Sequence, residues 1–266
     1  MMKQEIVTRL EHAALVAIDL ETTGLSPVKH QIVEIGAVKY EGEKCTYFNE
    51  LIRQKEPLPA FITELTHITD SMVENAKDLD TVMLEFDAFL GKKDFVLIAH
   101  NARFDFSFLQ VNAMRMKKQN MVMENWCRDH IRAIDTLVLS KKLRSDLPKH
   151  NLASMLAEYG LVNNEAHRAM ADAKACYELY RCMKQQMYAE YPEAFFPKQM
   201  AYKEKKTSAA TAKQKKDLQE LIKYHKIILS VLEEEEKFTW DTMTKSQASR
   251  LLEKLRSFGK KGHHRS

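Results

Sequence analysis

The order of apolar runs predicts an α/β protein: a mixed sheet flanked by helices, followed by a small helical module. Three observations carry this reading. First, three strand-forming runs follow one another with short links, at Ala14 to Leu20, Gln31 to Tyr40 and Lys44 to Arg53, and such runs pair as an antiparallel meander. Second, from Leu58 onward strand-like runs alternate with stretches of helical spacing, the pattern of a sheet with helices on its faces. Third, past Pro192 and Pro197 a polar, basic stretch leads to two helix starts with one shared cap signature.

The elements follow in order. The turn-rich Thr22-Thr23-Gly24-Leu25-Ser26-Pro27 links the first two strands. Thr81 to Leu90 places Val82, Met83, Phe86 and Leu90 at helical spacing. Phe95 to Ala99 reads as a buried strand, and Ala102 to Met116 as a helix with Asn101 suited to its N-cap. Ile131 to Val138 reads as a fifth strand, with helices after it at Asn151–Tyr159 and Arg168–Tyr188. Lys203 to Ala212 is polar, basic and small, the composition of a linker. Thr211-Ala-Lys-Gln214 and Thr244-Lys-Ser-Gln247 both match the capping box. Leu218, Leu221 and Ile222 give one helix an apolar stripe, and Ala248, Leu251, Leu252 and Leu255 give the other its own. The expected organisation is a main domain at 8–190, a linker at 191–210, a helical module at 211–258 and a disordered basic tail at 259–266.

Charge is divided unevenly. The chain carries +4 in total, but residues 201–266 balance at +7 and the rest at −3. An acidic body suits a domain rich in working carboxylates, and a basic tail suits phosphates. A solvated tail, or a protein-docking face at Leu251, Leu252 and Leu255, are the other readings of the same composition. Cys45, Cys127, Cys176 and Cys182 form no C-x-x-C pair, which argues against structural zinc and a disulfide framework. No apolar run approaches the roughly 20 residues of a membrane span, and a cytoplasmic location is expected.

Three separated segments place acidic residues where a core wants apolar ones. Asp19 and Glu21 close the first strand and, being two apart, share a face. Neighbouring buried carboxylates repel unless a cation intervenes, and Mg²⁺ suits such hard oxygen ligands; a strand end fraying into solvent would need no cation. Asp105 falls in the first turn of the helix after His100 and Asn101, where the helix dipole alone favours a negative charge. His167 and Asp172 are five apart. On one helix their side chains would diverge by roughly 140°, so His167 faces the same place as Asp172 only if it precedes the helix. A mobile His167 that swings over substrate is the resulting expectation, beside the plain reading of a surface histidine.

Together these segments resemble the DEDD exonuclease superfamily: Asp19-Leu-Glu-Thr-Thr-Gly24, then His100-Asn-Ala-Arg-Phe-Asp105, then His167-Arg-Ala-Met-Ala-Asp-Ala173, in the family's order. The resemblance runs from about residue 13 to 185. Ile32 to Val38, Leu65 to Thr69 and Asp135 to Leu137 look like the bacterial DNA polymerase III proofreading type (epsilon or PolC). The histidine spacing marks the histidine subclass, with Arg168 where the tyrosine subclass has its tyrosine. The resemblance implies a ribonuclease H-like fold, two Mg²⁺ or Mn²⁺ ions on Asp19, Glu21, Asp105 and Asp172, and His167 as general base. It implies backbone contacts to the terminal nucleotide from Thr22, Thr23 and Gly24. Ile68 and Phe104 are expected to meet bases, which stack on apolar faces, with a core Phe104 as the equal alternative, and Asn101 is a further candidate substrate contact. His67 stands where the family usually has glycine, and His30 where it often has aspartate. His100, His150 and Asp135 are expected to be structural.

The implied activity is 3′→5′ removal of nucleoside 5′-monophosphates from single-stranded DNA or DNA 3′ ends, in replication or repair, with any proofreading in trans to a DNA polymerase. An RNA-trimming exonuclease and a non-catalytic polymerase-associated, nucleic-acid-binding subunit are the alternatives. Contacts to the 2′-OH separate RNA from DNA, and loss of an acidic ligand would mark the non-catalytic form.

Overall fold

The computed structural model describes residues 13–126, 131–202, 208–235 and 238–260. It divides into two units, Met1–Tyr202 and Lys203–Ser266. In the first unit, strands β1 (Ala14–Thr22), β2 (Ile32–Glu41) and β3 (Lys44–Leu51) form the antiparallel meander. Helices α1 (Ala60–Thr66), α2 (Asp70–Val73) and α3 (Leu79–Leu90) lead to β4 (Phe95–Ala99), which returns parallel to β1. Helix α4 (Ala102–Lys118) then leads to β5 (Arg132–Asp135), parallel to β4. Helices α5 (Thr136–Leu143), α6 (Leu152–Glu158) and α7 (Ala169–Met187) follow, then a 3₁₀ turn at Pro192–Phe195 and the short β6 (Lys198–Gln199), antiparallel to β5. The sheet order is β3-β2-β1-β4-β5-β6.

Strand alternation assigns each face. Val16, Ile18 and Leu20 of β1 pack with Phe86 of α3 and with Phe108 and Leu109 of α4. Ala17 faces the other way, toward Ala173, Cys176 and Leu179 of α7. By the same two-residue period Asp19 and Glu21 lie on the α7 face. Their partners across the antiparallel ladder are Gly36 and Glu34. Gly36 permits a close helix–sheet contact: a Cβ built on it would stand 2.2 Å from the backbone of Ala169 and Met170. Small residues thus bring the first turn of α7 onto the sheet where the acidic pair lies.

The structure differs from the sequence reading in four places. The run expected as a strand to Val138 turns helical at Thr136, because the Asp135 carboxylate accepts from the amides of Leu137 and Val138 at 3.0 and 3.2 Å and starts a helix. Residues 192–199, expected within a linker, belong to the first unit: β6 pairs with β5, and Phe195 is buried against Tyr180. Asn101 does precede α4, but with left-handed backbone and no side-chain cap. Among its described residues the second unit holds three helices where two were expected: α8 (Ala212–Tyr224), α9 (Leu229–Glu235) and α10 (Lys245–Lys260).

Both capping boxes are formed. The Thr211 hydroxyl accepts from the Gln214 amide and the Gln214 side chain accepts from the Thr211 amide, at 3.1 and 3.0 Å. Thr244 and Gln247 repeat the exchange at 3.3 and 2.9 Å. Leu251, Leu252 and Leu255 are buried with Leu218, Leu232 and Met243, so they offer no exposed docking face. Among the described residues no helix is long and apolar enough to cross a membrane. Cys45, Cys176 and Cys182 are free thiols; Cys127 and the expected tail beyond Lys260 lie outside the described residues.

Gly36→Ala forces a methyl against backbone that cannot rotate away. It is expected to lower stability by about 3 kcal/mol, the upper end of overpacking costs, read as a shift of the urea midpoint. A variant as stable as the parent would show that α7 can lift from the sheet at little cost.

Candidate active site

Three elements converge at the carboxyl ends of β1 and β4, where open α/β sheets commonly form their sites. β1 supplies Asp19 and Glu21. Helix α4 supplies Asp105 from its first turn, almost fully buried. Helix α7 supplies Asp172, and the turn before it supplies His167. Ligand-capable atoms of Glu21, His167 and Asp172 all lie within 4.8 Å of one another.

His167 lies ahead of α7, as its spacing from Asp172 requires. The helix starts at Ala169 after Arg168, and His167 has left-handed backbone with φ 64°. Its amide donates to Asp172 Oδ2 at 2.9 Å, while Asn163 Nδ2 donates to Oδ1 at 2.6 Å. Asp172 is thereby oriented through both oxygens.

A second carboxylate clamps the same turn. Glu34 is fully buried and takes a two-pronged contact from Arg168, Nη2 to Oε1 at 2.8 Å and Nε to Oε2 at 3.2 Å. Its Oε2 also accepts from the Ala169 amide at 3.0 Å. Arg168 therefore points at the sheet. The forked geometry is one that lysine lacks. Sequence reading used Glu34 and Arg168 only as family markers. The available signal was a lone charge inside the apolar run Ile32 to Val38. Asn163 had no such signal.

The crowding of carboxylates is visible in their ionisation. Burial, then Asp105, Glu21, Asp172 and Glu34 in that order, hold the Asp19 carboxyl well above the usual range. Burial chiefly, with Asp172 and Glu34, pushes Glu21 up to about 8, against a lowering pull from Arg168. Burial also raises Asp105 and Asp172, the latter eased by the His167 amide. Acid groups whose hold on the proton is raised in this way lack counter-charge, and a divalent cation is the natural source of it. Carboxylates such as these are hard-oxygen donors of the kind Mg²⁺ and Mn²⁺ take.

Neighbouring polar groups are structurally committed. Asp135 Oδ1 accepts from Asn101, Leu137 and Val138 amides. His100 Nε2 lies 2.8 Å from the His150 carbonyl, which only accepts, so Nε2 carries the proton and Nδ1 accepts from the Thr136 hydroxyl at 2.9 Å. Burial lowers its pKa, consistent with a neutral bracing ring.

Beside the carboxylates opens a cleft of about 760 Å³. One wall is Glu21, Thr22, Thr23, Gly24 and His30; Phe61, Ile62, Leu65 and Phe104 line it too. Thr22 Oγ1 donates to the Gly24 carbonyl at 2.8 Å, and Thr23 Oγ1 accepts from the Gln31 amide at 2.9 Å. Phe104 also packs on the core, 5.0 Å from Phe108. Ile68, expected to meet bases, is fully buried with Val33, Leu58 and Val73. The left-handed His67 before it, at φ 58°, turns it inward. Phe61 and Leu65 instead present apolar surface, 59% and 47% exposed. In the sequence Phe61 drew no notice and Leu65 served only as a family marker, because α1 is short and no apolar periodicity stood out. Asn101 is exposed at the start of α4 and does not line this cleft.

The DNA polymerase III PolC-type of Streptococcus pneumoniae strain D39 is 37% identical over 172 residues, 64% of this chain and 11% of the polymerase. That of Latilactobacillus sakei is 40% identical over 178 residues, 66% and 12%. The chain thus spans about an eighth of these relatives or less. Among solved structures, E. coli Exonuclease I in complex with a dA16 oligonucleotide superposes with a TM-score of 0.58 at 16% identity, over 69% of this chain and 42% of that one. Cell-death related nuclease 4 gives 0.54 at 20%, over 67% and 66%. At such identities the likeness shows the fold, the ribonuclease H-like mixed sheet. Residues 16–180 match the RNase_T family model, described as an exonuclease. That match begins inside β1 and ends inside α7, taking in the whole convergence above, and on it the chain belongs to the RNase_T family of exonucleases.

Proposed function

We propose that the protein is a 3′→5′ exonuclease that releases nucleoside 5′-monophosphates from DNA 3′ ends. The observations that support this are the meeting of Glu21, His167 and Asp172, the buried Asp19 and Asp105 whose charges act on that group, and the open cleft of about 760 Å³ beside them. DNA is the assigned substrate because the 35–40% identical relatives are DNA polymerases by name; a cytoplasmic role in DNA replication accords with them.

The four carboxylates would hold two Mg²⁺ or Mn²⁺ ions. Bound there, such ions supply Lewis-acid polarisation of the phosphate and neutralise developing charge. The chain's own groups do the rest. The 3′-terminal nucleoside enters the cleft, its base against Phe61, Leu65 and Phe104, where apolar faces accept any base. Thr22, Thr23 and Gly24 contact it from the other wall. His167 takes a proton from the attacking water. The new bond forms from that water oxygen to the last phosphorus, and the bond from phosphorus to the preceding 3′-oxygen breaks. That oxygen leaves with a proton from solvent, so the strand ends again in a 3′-OH. Digestion of 3′- and 5′-labelled single-stranded DNA, duplex DNA and RNA with Mg²⁺, side by side, tests the assignment. Mononucleotide released first from the 5′ label would contradict it, and a preference for RNA would change the substrate.

Asp19→Ala is expected to abolish cleavage while circular dichroism stays native; a folded variant with substantial activity would remove Asp19 from the ligand set. His167→Ala is expected to slow turnover by roughly 10² to 10⁴, the usual worth of a general base, and to remove an ionisation from the rising limb of the pH–rate profile. An unchanged profile would assign the proton transfer elsewhere.

The raised acid groups set a further expectation. Unfolded Glu21 loses its proton near 4.5 and folded Glu21 near 8. Between those values the folded state binds more protons, so metal-free stability falls as pH rises through that window. A cation that replaces the protons stabilises most where they are lost. Thermal melts in EDTA and in Mg²⁺, at pH 5 and pH 8, should show the larger metal-induced rise at pH 8. Equal rises at both values would mean that the cation does not act at these carboxylates.

A further inference from the structure

The cleft wall holds a donor that the mechanism above does not use. His30 lines the cleft with Gly24 and Glu21. Its Nδ1 accepts from the Ser26 amide at 3.0 Å, and its own amide donates to the Ser26 carbonyl at 2.9 Å. An Nδ1 that accepts has no proton, so in the neutral ring the proton is on Nε2. Among the described residues Nε2 has no hydrogen-bond partner. The ring is also fixed in place. It lies so close over Gly24 that a Cβ there would fall 2.6 Å from Cδ2 and 2.7 Å from Nε2. Gly24 therefore leaves the space that the imidazole fills, and the turn amide sets which nitrogen is the donor.

Capping the turn needs only Nδ1. The oriented Nε2–H beside Gly24 is left for whatever occupies the cleft. Resting on the exonuclease reading, we infer that His30 is a substrate-binding residue whose Nε2–H donates to an acceptor on the 3′-terminal nucleotide. That acceptor is a hydroxyl oxygen of the terminal sugar or an acceptor atom of the terminal base. His30 fixes the depth at which the nucleotide sits and leaves the proton transfer to His167.

Asparagine and aspartate at position 30 keep an oxygen for the Ser26 amide and remove the Nε2 donor. Full-length His30→Asn and His30→Asp are compared with the parent on one single-stranded DNA carrying three ends: an ordinary 3′ nucleotide, a 2′,3′-dideoxynucleotide and an abasic sugar. Binding is read by fluorescence anisotropy in Ca²⁺, and turnover in Mg²⁺. On the ordinary end, Kd and KM are expected to rise about 3- to 10-fold, the worth of one neutral hydrogen bond, with kcat and the melting midpoint little changed. The penalty should vanish on the dideoxy end if the sugar hydroxyl accepts, or on the abasic end if the base does. Folded variants that bind all three ends as the parent does, or that lose affinity equally on all three, would overturn the inference. A parent that binds but cleaves no 3′ end would overturn the exonuclease reading instead, and the binding comparison would still judge His30.

Discussion

The contact between the first turn of α7 and Gly36 of β2 governs the rest of the structure. Only a residue without a side chain lets backbone meet backbone there, and Ala17, Ala169 and Ala173 keep the neighbouring layers thin. Asp172 is brought to β1 by that approach. The Glu34 clamp on Arg168 and Ala169 then fixes the rotation of the turn, and the His167 amide closes it onto Asp172. Buried ion pairs contribute little net stability, since desolvation offsets attraction. Here the pair's value is geometric, because it holds a left-handed histidine at the mouth of an acidic cluster.

The acidic cluster itself works against folding. Carboxylates from β1, α4 and α7 are packed where burial raises each one's hold on its proton, with mutual repulsion adding to it at Asp19 and Glu21. A chain selected for stability alone would place apolar residues at these positions, as it does at Val16, Ile18 and Leu20 on the opposite face of the same strand. Conflict between local preference and the observed residue is what a working site looks like in a sequence.

That conflict explains what could be read in advance. Asp19, Glu21, Asp105 and Asp172 stood out because each interrupts an apolar pattern, and the His167 spacing carried its own geometric demand. Strands β1 to β4 and helices α3, α4 and α7 are long or regular enough for periodicity to reveal them. Helices α1 and α2 and strand β6 are short, and short elements take their form from tertiary contacts. The cleft was the least legible part. Phe61 and Leu65 face outward from a seven-residue helix, while Ile68, three positions on from Leu65, is sealed in the core. One left-handed residue, His67, separates the two fates. Ladder pairing across β1 and β2 set Glu34 opposite Glu21, and no local pattern announces such a partnership.

Asp135 shows how mutagenesis of such a centre can mislead. It lies within the electrostatic reach of Asp105, so a scan of acidic residues would include it. Yet its carboxylate is engaged by three amides that join the end of β4 to the start of α5. Replacing it would free the loop bearing Asn101, one turn from Asp105, and would release the Thr136 that braces His100. An inactive Asp135 variant would thus carry the phenotype of a missing ligand while reporting a loosened hinge. Genetic loss of function here identifies a neighbourhood, and only an observation of cation binding separates its ligands from its scaffolding.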